Sequence, residues 1–430
     1  MTSKTPRKKK RRKLKKSVKR GCLIMVALPL LIWLTPKAVD WVKGLGYFGE
    51  VPDETVTVLP VDLAEMQHRI DGLFHETLRL DTNTIALEVR DVETNAIVYS
   101  RNAHRLAPPA SCMKLLTAVG AMHYLGTDYN YVSQVRLKGR QQGETFHGKV
   151  RFLFADDPMI ESLEPFADAI CRQGIRRIEG EISIELMRTD TLRAHASAEV
   201  WDIPYFSLPI LLKGEARVKQ DLQYWMASKG LKVENKVVAG EGEERIVYRH
   251  ETPLSEVIAP MLIHSSNVKA DALFVHLGRM SRCLPMSDFS EDWWVRPMLL
   301  RVGVEEWDGF VINDGSGLSP DNRLTAHALV DILQYAWQQE DMRRVLLDEA
   351  LAIPGHPKRR GSLVGRMVHP MFLNRVFVKT GTLTNSALSS LAGYVRMADG
   401  RWLSFAVINE HSPVGESRVF QDKLCRELVR

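Results

Sequence analysis

Apolar positions along the chain fall into a few distinct rhythms. Over 63–80 they recur at Leu63, Met66, Ile70, Leu73 and Leu78, the three-and-four spacing of a helix with one buried stripe. Short apolar runs at 85–89 and 97–99 flank Glu93-Thr94-Asn95, which predicts a hairpin. Pro108-Pro109-Ala110-Ser111 then opens a helix to about Leu125, since proline at a helix start gives up no hydrogen bond. There Met113, Leu115, Leu116, Val119, Met122 and Leu125 cover most of the circumference, so this helix belongs at a domain centre.

The rhythm changes over 127–249. Short strands at 131–137, 148–154 and 178–184 alternate with polar turns, with one helix near 163–172, which reads as a smaller α+β unit inserted into the main domain. Helical spacing returns at Leu254, Val257, Ile258, Met261 and Leu262, and again over 268–277. Three strand candidates follow at 376–383, 388–395 and 402–408, then an amphipathic helix at about 417–428. A hairpin near one end and an antiparallel meander near the other predict one α+β core, its sheet drawing strands from both. The implied order is a tail (1–20), an apolar segment (21–42), a connector (43–65), core (66–126), insert (127–249) and core again (250–430).

Charge changes the picture only at the start. Twelve of the 58 Lys and Arg lie in the first 20 residues with no acid among them, leaving 46 basic against 52 acidic side chains elsewhere. The pI near 9.0 therefore describes a tail. A basic run by itself fits nucleic acid, but here the apolar stretch Cys22 to Leu34 follows at once. That arrangement keeps an N-terminus cytoplasmic and sends the rest outward, so membrane targeting is expected and nucleic acid is not. The apolar stretch is short for a span unless it extends to about Val42 with Lys37 reaching the interface. No small-x-small cleavage site follows, which favours an uncleaved single-span anchor with the remainder on the periplasmic side; export with signal cleavage is the alternative. Cys112, Cys171, Cys283 and Cys425 show no metal-ligand spacing and no CxxC pair, so disulfides and buried thiols both stay open.

Candidate chemistry rests on three short motifs in order: Ser111-Cys112-Met113-Lys114, Ser265-Ser266-Asn267 and Lys379-Thr380-Gly381. Ser111 and Lys114, three apart on a helix, project from one face. A serine hydroxyl needs a base to become a nucleophile, and an amine serves if a second cation such as Lys379 lowers its pKa. Lys114 also falls where the helix is otherwise apolar, and burying an unpaired lysine is costly. Ser265-Ser266-Asn267 alone would pass for a helix cap. As part of a site, Ser265 relays a proton to a leaving amine and Asn267 donates to a substrate amide. Lys379 and Thr380, on a strand, suit a carboxylate, and Gly381 lets a peptide approach the strand edge. The backbone N–H groups of Ser111 and Thr382 would form an oxyanion hole.

S-x-x-K, S-x-N and K-T-G together are the set found in class A β-lactamases and penicillin-binding proteins. With PPASCMKLLTA, NDGSGLSPDNRLT, VFVKTGTL and LAGYV, and LGTDYNY and GIRRIEGEISI in the insert, the chain resembles the low-molecular-mass class C penicillin-binding proteins, the D-alanyl-D-alanine carboxypeptidase/endopeptidase family. The resemblance implies a serine β-lactamase/transpeptidase-like core, acylation of Ser111 by peptidoglycan stem peptides or β-lactams, and no metal or cofactor. This chain departs from that family in a short insert, in Ala155-Asp156-Asp157-Pro158 where glycines are usual, and in Lys358-Arg359-Arg360 where an acid is usual. Two rivals remain: a β-lactamase or esterase on the same core, against which stands the lack of a Glu-x-x-Leu-Asn stretch between Asn267 and Lys379, and a non-catalytic wall-binding protein.

Overall fold

The computed structural model describes residues 61–76, 79–198, 201, 203–237, 242–280, 293–304 and 308–430. The basic tail, the apolar segment 21–42, most of the connector and Cys283 lie outside them. Among the described residues no helix is long and apolar enough to cross a membrane.

Two five-stranded sheets organise the chain. The first has the order β2-β1-β10-β9-β8, with β1 Ile85–Asp91, β2 Ile97–Arg101, β8 Val376–Leu383, β9 Leu388–Arg396 and β10 Trp402–Asn409. Every neighbouring pair is antiparallel, and β1 lies against β10, joining the two ends of the chain as the apolar pattern predicts. Strands β8, β9 and β10 are buried on both faces, so they read as continuous apolar runs rather than alternating ones. One face receives Leu63, Met66 and Ile70 from helix Val61–Glu76 and Phe420, Leu424 and Leu428 from helix Val414–Val429. The other packs on a helical layer around Met113–Leu125 and Ala326–Gln338. Residues Met113 to Met122 are all buried, the central placement expected of that helix. Gly120 carries no side chain there because the Trp294 ring lies 2.3 Å from where a Cβ would stand.

The second sheet has the order β6-β5-β4-β3-β7, with β3 Asn130–Gln142, β4 Thr145–Phe154, β5 Arg177–Leu186, β6 Lys232–Asn235 and β7 Glu244–Pro253. Its β4/β5 and β5/β6 pairs are parallel and the others antiparallel. Strand β4 buries alternate residues, the mark of a sheet covered on one face. Helices Glu164–Cys171 and Glu215–Ser228 supply that cover through Phe166, Ile170, Val218 and Leu222. Tyr131, Leu192, Leu208 and Leu212 instead enter the core of the first unit.

Several boundaries differ from the sequence reading. The first helix ends at Glu76 rather than Leu80, and β7 runs past residue 249 to Pro253. Helix Glu215–Ser228 goes unread because its buried stripe is only Val218, Leu222 and Met226. Helix Ala326–Gln338 goes unread too, although the Thr325 hydroxyl accepts the Ala328 N–H at its start. Cys112, Cys171 and Cys425 are free thiols, with burial pushing Cys112 and Cys425 up.

Candidate active site

Ser111 sits not in the first turn of the central helix but on a 3₁₀ turn, Ala110–Cys112, directly before it. That turn is forced. Ala110 has φ +47°, a conformation costing an L-residue roughly 1 kcal/mol or more. Two backbones press on it. A Cβ at Gly317 (φ +74°) would stand 1.8 Å from the Ala110 carbonyl oxygen, and one at Gly381 would stand 3.0 Å from the Ala110 Cβ. Only glycines let the loop at 313–325 and strand β8 close on the serine from both sides.

Lys114 is fully buried and its Nζ meets three oxygens: Ser111 Oγ at 2.8 Å, Asn267 Oδ1 at 2.8 Å and the Ser316 carbonyl at 2.6 Å. The last two can only accept, so each uses one N–H. The hydroxyl can donate as well as accept. A neutral amine can therefore give two hydrogens to the carbonyl oxygens and turn its lone pair on Ser111. An ammonium fits the same three partners by giving three.

Ser265-Ser266-Asn267 divides its work. It joins helix Leu254–Ile263 to helix Asn267–Met280. Ser266 acts as the cap, its Oγ 3.5 Å from the Lys269 N–H, while Asn267 turns its amide oxygen to Lys114. Ser265 adopts φ +60° and accepts from Lys379 Nζ at 3.0 Å.

Lys379 also donates to the Thr380 carbonyl at 2.5 Å and has no exposed surface. Burial pulls its ammonium down to about 8. Its charge thus reaches the cleft through Ser265 and the strand, not by contact with solvent. The Thr380 hydroxyl lies 2.5 Å from Ser362 Oγ. Strand β8 is the sheet edge, and Val378 uses its N–H and C=O on Ala352, the side away from β9. Backbone groups alternate along a strand, so the N–H groups of Thr380 and Thr382 point off the same free edge. All eight residues singled out from sequence therefore stand on three converging segments: Ser111 and Lys114, Ser265 and Asn267, and Lys379, Thr380, Gly381 and Thr382.

A fourth segment, the NDGSGLSPDNRLT run at 313–325, carries the family resemblance in sequence but offers no site residue there. Asp314 accepts from the N–H groups of Gly317 (2.6 Å) and Ser319 (2.7 Å) and from Asn322 Nδ2 (3.1 Å), shaping the loop that presents the Ser316 carbonyl. Buried Asp271 fixes it from behind, accepting from the Ser316 N–H and from Trp201 Nε1, both at 2.9 Å. Burial and the neighbouring Asp314 push the Asp271 carboxyl up to about 7. The signal was present in Asn313-Asp314-Gly315-Ser316-Gly317, a run rich in turn formers, though no single residue in it announces a base-holding carbonyl.

The departures noted in sequence are structural. Asp156 pairs with Arg188 through two 3.1 Å bonds, and Asp157 accepts from Thr252 and the Met159 N–H. Arg359 gives its guanidinium to the Leu351 carbonyl, whereas Lys358 and Arg360 are exposed. Among the described residues Glu88, His104 and His327 have metal-ligand spacing. Arg90, however, lies 2.8 Å from His327 Nδ1 and pairs with both Glu88 and Asp331. A guanidinium already fills the role of a cation there.

Comparison with known proteins shows what this chain is similar to. The chain is 23% identical to a D-alanyl-D-alanine carboxypeptidase of Actinomadura sp. (strain R39) over 85% of each chain. Its fold is similar to that of penicillin-binding protein 4 from Haemophilus influenzae, at a TM-score of 0.65 and 18% identity, covering 83% of this chain and 97% of that one. The same protein has been solved with a β-lactam. A predatory peptidoglycan endopeptidase of Bdellovibrio bacteriovorus matches at a TM-score of 0.51 and 14% identity, over 76% of this chain and 86% of that one. The D-Ala-D-Ala carboxypeptidase 3 (S13) family matches residues 66–205 and 212–424. With its serine and lysine joined at the head of a buried helix, the chain belongs to that family of serine peptidases.

Proposed function

We propose that this chain hydrolyses D-alanyl peptide bonds of peptidoglycan through an ester on Ser111. The observation that carries the reading is a buried amine, Lys114, held by two carbonyl oxygens and in direct hydrogen-bond contact with the Ser111 hydroxyl, whose proton it can take. Ser111 Oγ attacks the carbonyl of the penultimate D-alanine, and Lys114 accepts the hydroxyl proton. The oxyanion is received by the N–H groups of Ser111 and Thr382, the second pointing off the free edge of β8. As the C–N bond breaks, the leaving amine takes a proton relayed by Ser265, whose hydroxyl is polarised by Lys379. Water then cleaves the ester by the reverse use of Lys114. β-Lactams would enter the same path and stay as acyl adducts.

Carboxypeptidase and endopeptidase action both fit, because each removes a residue carrying a free carboxylate from a D-alanyl carbonyl. The basic tail and the apolar segment 21–42 support placing the enzyme in the cytoplasmic membrane with its peptidase part outside. Mass spectrometry of defined muropeptides incubated with the purified chain tests the activity. Loss of one alanine means end trimming, and dimers splitting to monomers mean cross-link cleavage. Ser111→Ala should abolish both, together with penicillin labelling, and leave the fold intact. Labelling that survived this change would refute the assignment.

A further inference from the structure

Exposed apolar side chains gather on one loop. Between residues 361 and 375 the chain sinks Leu363, Met367 and Phe372 into the core that the first sheet shares with helices Val61–Glu76 and Val414–Val429. The residue after each of them turns outward: Val364 is 65% exposed, Val368 76% and Leu373 40%. Met367 holds φ +48°, which is costly for an L-residue, so the display of Val368 is kept against a local penalty. A scattered apolar residue on a surface is ordinary, whereas a cluster of them on one short loop asks for a cover.

Cations frame the same face. The loop runs alongside helix Val414–Val429, since Arg366 bonds Asp422 at 2.6 Å and Arg375 donates to the Val429 carbonyl. Arg375 also donates to the Arg396 carbonyl at 3.0 Å, and Arg396, Arg426 and Arg430 are exposed. From Ala350 to Ala398 the chain has seven Lys and Arg and no Asp or Glu. Acids that reach this end are engaged: Glu427 with Arg69 and Arg430, Glu65 with Arg69, and Asp399 with Arg401. Helix Val61–Glu76 lies antiparallel to the last helix, Arg69 pairing with Glu427 and Glu76 with Lys423, so Val61 stands at the Arg430 end. Residues 43–60 join it to the apolar segment 21–42, and a chain of that length spans at most roughly 60 Å.

We infer that this face docks on an anionic lipid bilayer, with Val364, Val368 and Leu373 entering the headgroup boundary and Arg396, Arg426 and Arg430 meeting lipid phosphates. Cations attract the headgroups and apolar side chains gain only where there is hydrocarbon to enter. An anionic wall polymer would satisfy the arginines and leave the valines in water. A second copy would bring like charges together. The inference rests on the membrane placement proposed above and adds to it the surface by which the peptidase half would lie down on the bilayer.

The test reads the loop itself, because the basic tail and the apolar segment would bring the full chain to vesicles in any case. The full chain is mixed with vesicles of phosphatidylcholine, or of about one part phosphatidylglycerol to two of phosphatidylcholine, and backbone amide exchange is followed along the sequence. Exchange over 361–375 should slow about fivefold on the anionic vesicles alone, the effect of roughly one engaged cation, and high salt should reverse it. The double variant Val364→Ser/Val368→Ser should erase the slowing and leave benzylpenicillin acylation in detergent unchanged. Equal exchange on the two kinds of vesicle would overturn the inference. So would slowing in detergent that grows with protein concentration, which means a second copy, or slowing caused by isolated wall sacculi and not by lipid. Failure of the chain to float with phosphatidylcholine vesicles would strike at the anchor, and exchange on the anionic vesicles would still decide the docking face.

Discussion

Lys379 reaches Ser265 across 3.0 Å, and each residue meets the other at a local cost. Ser265 holds a left-handed backbone at φ +60°, and Lys379 keeps an ammonium with no surface in water. Strained backbone and buried charge persist only where the surroundings over-determine them. The pair therefore marks a place where stability has been given up for chemistry.

That burial gives the site a pH limit. The Lys379 ammonium is pulled down to about 8, so acylation by a β-lactam should fall as pH rises through about 8 while the Lys379 charge is lost. For stability the sign is opposite. Below about 8 both folded and unfolded chains carry this proton. Between about 8 and the ordinary lysine value near 10.5 the unfolded chain alone holds it, so folding gains as pH rises there. Stopped-flow acylation rates and urea midpoints over pH 6 to 10 check both signs. Acylation flat across pH 8 would refute the role given to the charge.

Gly317 should be the least replaceable position in the loop that presents Ser316. A Cβ there would stand 1.8 Å from the Ala110 carbonyl oxygen, at a φ of +74°. Gly317→Ala must displace either the loop or the serine turn. We expect a loss of about 2–4 kcal/mol, with penicillin acylation slowed more than the stability loss alone explains. Circular dichroism melts beside labelling rates measure this, and a neutral effect on both would contradict the packing.

His276 should report acid unfolding at the junction of the two sheets. It is fully buried, with Nε2 3.1 Å from the Tyr129 hydroxyl, and burial lowers its imidazole to about 4. Between about 6.5 and 4 the unfolded chain takes a proton that the folded chain refuses, so stability falls as pH drops through this window. At pH 5 the effect amounts to roughly 2 kcal/mol. His276→Gln should flatten the decline in urea midpoint between pH 7 and 5. An undiminished slope would assign it to other groups.

The core was legible where apolar runs were long and dense. The central helix, the meander β8–β10 and the hairpin β1–β2 all announce themselves, because sheets buried on both faces and central helices need continuous apolar residues. The insert was less legible. Helix Glu215–Ser228 buries one narrow stripe, and β7 is largely exposed before its last residues, so neither shows a strong period. Within the site, Ser111, Lys114 and Lys379 were readable from motif spacing. Ser316 and Asp271 were not, since a backbone carbonyl and a buried brace acquire meaning only through distant partners. The burial of Lys379 was hidden for the same reason: it takes three segments to close over that side chain.

The pairing of β1 with β10, with Ile85 opposite Asn409, also dictates an order of assembly. Joining strands so far apart in the chain is entropically slow, whereas the β3–β4 hairpin closes on its neighbours. The insert can consolidate while the enzyme half waits for the last strands to arrive. A nascent or clipped chain ending before residue 376 would lack Lys379 and the strand edge, and so would carry an inert serine. Such a fragment should show protected amides over β3–β5 yet take no penicillin; its labelling would break this link between completion and activity.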